Sequence, residues 1–276
     1  MVSEKRQWLQ STSIFSTTKI PRVVFFGSSR GLAGFIPETF DALAGRRVES
    51  INFAHQGGGR EVVSYLEQMM QLDNKPTHVI LSQCLQAKSK DYGTWRDDDW
   101  IMSRLFPFRR FARAVVLWVV KSISGDGFLE TLKGSDQAIA DLRQARGYHF
   151  IAQLSMFPDH QLPSDLMTSA DRPEDIVSRP CTPEDPEFVK LRKLKNQYGF
   201  RVIVAPTAVR ENSLAEAVEI DSWEHADITV AGPYYWRLPS KYFADFKHLN
   251  RAGAELYTKR LWELLAPELL DHGQRH

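Results

Sequence analysis

The chain has 276 residues, 43% of them hydrophobic and 25% charged, with a formal net charge of +1. That length holds one large domain with a sizeable core, or two small ones. The near-neutral balance leaves no electrostatic footprint for nucleic acid, and sixteen glycines with fourteen prolines are too few for a disordered chain.

The first stretch, "MVSEKRQWLQSTSIFSTTKIPR", has no apolar h-region of a signal peptide. Residues 1–21 read as an extension or linker ahead of a single domain over 22–270. Strands are expected at Arg22–Phe26, Val48–Phe53, His78–Ser82, Phe200–Ala205 and Ile228–Val230. Helical patterns cover Arg60–Leu72, Trp100–Ser122, Ser135–Ala145, Pro186–Tyr198 and Asn250–Leu269. This alternation predicts an α/β fold with a central parallel sheet wrapped by helices. The first strand, "RVVFF", is almost wholly apolar, as a strand covered on both faces requires.

Ligands of such sheets bind at the carboxyl ends of the strands. Gly27–Arg30, His55–Gly59, Ser82–Gln86 and Pro206–Thr207 all fall there, so four polar or glycine-rich ends converge on one crevice. At the first of them two serines, Ser28 and Ser29, follow the strand directly. Either they cap the next helix or one is a nucleophile held out at the strand's end.

Between 91 and 185 the pattern loosens into an expected helical and loop insertion. The basic amphipathic run "RLFPFRRFARAVVLWVVKSI" suits a membrane surface or an acidic partner, or a helix packed on the sheet with its arginines in water. Its most apolar part, Ala112 to Val120, is too short to span a bilayer. "PDHQLPSDLMTSADRPEDIVSRPCTPEDPE" reads as a long surface loop flanking the site. Cys84 and Cys181 form no CxxC or CxxH pair, and the histidines show no metal-ligand spacing, so neither a disulfide framework nor a metal site is expected.

Near the C-terminus, "DFKHLNRAG" places Asp245 three residues before His248, ahead of a helix that Asn250 is suited to cap. That spacing lets the carboxylate reach the imidazole Nδ1–H, fix its tautomer and leave Nε2 as a base. A serine hydroxyl needs such a base to become a nucleophile.

"GSSR" after the first strand, "NFAHQGG" after the second and "DFKHLNRAG" together resemble the SGNH/GDSL hydrolase superfamily. They are closest to its bacterial GSSR/GSSE-type branch of DltD-like and alginate-acetylation proteins. The resemblance runs from residue 22 to about 265 through three short blocks. It implies a flavodoxin-like three-layer α/β/α sandwich and ester hydrolysis or O-acyl transfer on glycans, without metal or cofactor. Ser29 then stands as nucleophile, His248 as general base and Asp245 as its orienting acid. Ser28, where the family carries aspartate, falls to a capping role.

The resemblance further points to the Gly57 and Ser29 backbone N–H groups as oxyanion donors. The family's Gly-x-Asn block is absent: Gln83 in "LSQCLQAK" offers the same amide one methylene further out, and either fills that place or leaves the hole incomplete. Arg30 is read as binding an anionic substrate group or pairing with a carboxylate, and His55 as lining the pocket. Tyr234, Tyr235 and Trp236 are read as a stacking platform for a sugar ring or as a core cluster.

The function expected is a serine-dependent esterase or O-acyltransferase acting on acyl, chiefly acetyl, esters of a carbohydrate. The partners implied are the glycan substrate and membrane-associated polysaccharide-modification machinery. The alternative is a weak or inactive scaffold in a polysaccharide assembly. The expected location is the bacterial periplasm or envelope if an anchor precedes the chain, and otherwise the cytoplasm.

Overall fold

The computed structural model describes residues 5, 8–9, 14–16, 19–55, 62–82, 140–149, 157–169, 186–213 and 228–270. The chain divides into two compact units, one of Met1–Ala87 with Ala145–His276 and the other of Lys88–Gln144. The first unit holds every labelled strand and helix below.

Its frame is a five-stranded, all-parallel sheet built from β1 (Arg22–Phe26), β2 (Glu49–Asn52), β3 (His78–Leu81), β4 (Arg201–Val204) and β6 (Thr229–Val230). The spatial order is β2-β1-β3-β4-β6, with Val24 opposite both Ile51 and Val79, and Val79 opposite Val202. Neighbouring strands run parallel, and each connection must therefore cross over a face of the sheet, where helices cover it. Alternate residues accordingly feed two separate cores. Val24, Phe26, Val79, Leu81, Val202 and Val204 enter one, whereas Val23, Phe25, Ile80 and Ile203 enter the other.

The first core is closed by α3 (Val62–Met69) and α4 (Pro186–Tyr198), through residues such as Tyr65, Leu66, Phe188 and Leu191. The second is closed by α1 (Ser29–Gly34), α2 (Pro37–Leu43) and the long α5 (Arg251–Leu270). All five expected strands form, each with bounds within about a residue or two of those read from the sequence. The helix expected at Ser135–Ala145 is described only over 140–145 and is helical over 140–144, and Trp100–Ser122 lies outside the described residues.

Three features differ from the sequence reading. The stretch expected as an extension or linker buries Trp8, Leu9, Ile14 and Phe15 in the first core. Residue 5 is a lysine with no exposed surface, whose Nζ donates to the Asn52 and Ala54 carbonyls at 2.7 and 2.6 Å. Burial drives the pKa of that amine well down.

The third difference is a second, two-stranded parallel sheet of β5 (Thr207–Arg210) and β7 (Tyr235–Leu238). It follows β4 after only Ala205 and Pro206, so the supposed end of the fourth strand opens a new element. Among the described residues no helix is long and apolar enough to cross a membrane.

Candidate active site

The end of β1 is shaped by close approach. Gly27 and Gly31 flank the Ser82 hydroxyl at the end of β3. A Cβ on Gly27 would lie 2.3 Å from Ser82 Oγ, and one on Gly31 would lie 2.9 Å from it and 2.8 Å from Phe25 Cε1. Neither glycine is needed for its backbone angles, because both lie outside the left-handed region. They are needed because a third strand end lies against them.

The two serines then take separate tasks. Ser28 is the N-cap of α1, with extended backbone, and its Oγ accepts a hydrogen bond from Arg30 N at 3.3 Å. A capping oxygen satisfies one of the helix's orphan N–H groups. Ser29 is the first helical residue, so its side chain is released from capping and meets His248 Nε2 at 2.9 Å.

His248 lies on the turn between Phe243 and Leu249, which pair as an isolated antiparallel bridge. Asp245 folds this turn and orients the ring at once. Its Oδ1 accepts from the backbone N–H groups of Lys247 and His248, both at 2.7 Å, while Oδ2 faces His248 Nδ1 at 2.8 Å. The contact makes Nδ1 the protonated nitrogen and leaves the Nε2 lone pair toward Ser29. Burial works to raise the Asp245 pKa, but the hydrogen bonds and charge of His248 and the two backbone donors outweigh it, so the carboxyl is held below its usual value. The side chains of His248 and Asp245 are 15% and 23% exposed, shielded yet open to a reactant. Asn250 closes the loop onto α5, its Oδ1 accepting from Gly253 N at 2.9 Å and its Nδ2 donating to Lys241 O at 2.8 Å.

Other expected site residues are placed as follows. Arg30 is buried, and its Nη1 donates to the carbonyls of Ala208 and Lys247 at 3.4 and 3.3 Å, so this nitrogen is spent on backbone. His55 is buried, with its N–H on Gly27 O at 3.1 Å and its ring edge-on to Tyr65, 5.9 Å between centroids, in the first core. Trp236 packs edge-on to Tyr257 against the second core, whereas Tyr234 and Tyr235 pack with the first. Tyr235 and Trp236, successive on one strand, point to opposite faces, so the aromatic run is divided between two cores. Gly57, Gln83, Cys84 and Cys181 lie outside the described residues.

Asn52 acts in a way that its sequence block did not indicate. Its fully buried side chain donates from Nδ2 to the carbonyls of Gly31 and Phe35 at 3.0 and 2.8 Å, and its Oδ1 accepts from Ala54 N at 2.9 Å. One amide thus fixes the end of α1, which carries Ser29, to the turn after β2. The sequence signal for it was a polar amide at the end of a strand expected to lie inside the sheet.

The arrangement can transfer a proton from Ser29 Oγ to His248 Nε2 as the oxygen attacks an electrophile, with Asp245 balancing the charge that forms on the ring. Among the described residues no cluster of histidine, cysteine or carboxylate side chains is grouped to hold a metal ion. No protein-family model, curated protein or solved structure matches the chain.

Proposed function

We propose that the chain is a serine-dependent ester hydrolase or O-acyltransferase of the SGNH type, built on a flavodoxin-like three-layer sandwich. The observation that carries this reading is the continuous hydrogen-bonded series Ser29–His248–Asp245, assembled from two ends of the chain at the carboxyl edge of a parallel sheet. The strand order, with the second strand outside the first and the rest following in sequence, agrees with the sandwich.

In the reaction, Ser29 Oγ forms a bond to the acyl carbonyl carbon as its proton passes to His248 Nε2. The resulting oxyanion is met by backbone N–H donors, for which Ser29 and Gly57 are the candidates from the sequence blocks. Collapse expels the alcohol, which takes the proton from His248. Water or a sugar hydroxyl then gives its proton to His248 and attacks the acyl-serine, and as the bond to Ser29 breaks His248 returns that proton to Ser29 Oγ. Removal of one oxyanion donor typically costs about 3 kcal/mol of transition-state stabilisation. Carbohydrate esters are the substrate class suggested by the three sequence blocks.

A second reading, a scaffold with little turnover, draws on one observation: Gln83 stands where the resembled pattern has asparagine. Turnover of p-nitrophenyl acetate separates the two. The esterase reading expects Ser29→Ala to abolish it and Ser28→Ala to retain a folded, active enzyme. Equal rates for wild type and Ser29→Ala would overturn it.

A further inference from the structure

The acid–base turn has little regular structure of its own, yet His248 must hold its ring to within a fraction of an ångström. Two buried guanidinium groups reach this turn from different elements. Arg30, one residue after the nucleophile, donates to Lys247 O, and through Ala208 O it is joined to β5 as well. Arg210, the last residue of β5, has no exposed surface. Its guanidinium lies 5.0 Å from the centroid of the Phe246 ring, the side chain between the acid and the base. Its Nη1 and Nη2 donate to the carbonyls of Leu166 and Ser169 at 3.3 and 2.9 Å.

A fully buried cation is costly unless its donors are met and its charge is answered. A planar guanidinium is special in combining directed N–H bonds with a flat face that stacks on an aromatic ring. A lysine ammonium would preserve the charge but not the planar fork of donors.

We infer that Arg210 and Arg30 are positioning residues that clamp the acid–base turn, Arg210 through the Phe246 ring and Arg30 through the Lys247 carbonyl, so that His248 Nε2 stays in line with Ser29. This rests on the proposed ester chemistry for its kinetic consequence, but not for its geometric one. The small second sheet thereby acquires a purpose: β5 is the beam to which both clamps attach.

The test uses the whole chain with Phe246→Leu, Phe246→Tyr, Arg210→Lys and Arg30→Met. Two readouts are followed, p-nitrophenyl acetate kinetics and the far-downfield NMR resonance of the His248 Nδ1–H held by Asp245. Phe246 is only half-buried, so its variants are expected to fold even if those at Arg210 do not.

Phe246→Leu is expected to lower kcat by roughly ten- to a hundredfold, the scale of an ångström-sized misplacement, with KM little changed. It should also shift or broaden the Nδ1–H resonance, and Phe246→Tyr should restore both. Arg30→Met and Arg210→Lys should act in the same direction. A Phe246→Leu protein with the wild-type kcat and an unaltered Nδ1–H resonance would overturn the clamp, whatever its melting temperature. If wild type itself shows no turnover, the esterase reading fails, and the Nδ1–H resonance alone decides the clamp by the same comparison.

Discussion

Substitution of Gly27 by alanine, alone and with Ser82→Ala, tests the packing that delivers Ser29. The new methyl would sit 2.3 Å from Ser82 Oγ, but its next nearest neighbours, Gly31 Cα and Ser82 Cβ, are both at 3.6 Å, an ordinary contact. The strain is therefore confined to one hydroxyl. Overpacking of this kind costs about 1–3 kcal/mol.

Ser82 Oγ has no hydrogen-bond partner of good geometry among the described residues. Its pull on the Tyr257 hydroxyl is a minor influence beside burial, which pushes that phenol strongly up. Removing Oγ alone should then change stability by less than about 1 kcal/mol. The double variant should recover most of the Gly27→Ala loss, giving a coupling of about 1–3 kcal/mol in a double-mutant cycle.

Urea denaturation at constant m provides the energies. Ester turnover follows the same pattern if Ser29 is displaced by the wedge. If Gly27→Ala costs as much in the Ser82→Ala background as in wild type, the notch does not explain the glycine.

Two further perturbations address the surroundings of the site. Asn52→Ala removes an amide that satisfies two carbonyls and one N–H group, and is expected to lower the urea-unfolding free energy by about 2–4 kcal/mol. Asp41 is buried, and burial raises its pKa from 3.8 to about 6 against the lowering effect of Ser50 and Arg146. Between those values the native state binds more protons than the unfolded chain, so stability should fall as pH rises from about 4 to 6, by roughly 3 kcal/mol in all. Asp41→Asn should flatten this slope in pH-dependent denaturation. Asp245 has the opposite sign: its contribution is complete above the unfolded carboxylate value of about 3.9 and is lost only as pH falls through its depressed folded value, which keeps the two effects apart.

The central sheet could be read from the sequence because both of its faces are covered. "RVVFF" is five buried residues in succession, and such a run has few alternatives to an interior strand. The Asp245–His248 contact was legible for a different reason, since a carboxylate three residues from a histidine carries its own local geometry, whereas Ser29 was reached only through the resemblance of three short blocks. The small sheet was not, because Thr207–Arg210 ends in a charge and Tyr235–Leu238 carries Arg237, which together look like loop. Arg210 is buried among partners that include two distant carbonyls and one ring, none near it in sequence. Trp8, Ile14 and Phe15 were hidden similarly, as isolated apolar residues among serines, threonines and lysines that find a common face only once the sheet exists. Ser28 caps α1, the role that the sequence blocks implied for it.

The hydrogen bond between Ser29 and His248 joins positions 219 residues apart. The contact forms only when the loop between them closes, and the entropy of closing it is spent before the contact returns anything. On the proposed chemistry, reactivity at Ser29 is a signature of completed topology, not of any local structure. During refolding it would appear last, after the sheet has formed and α5 has docked. A labelling reagent for that serine would count finished molecules and ignore every partly assembled one.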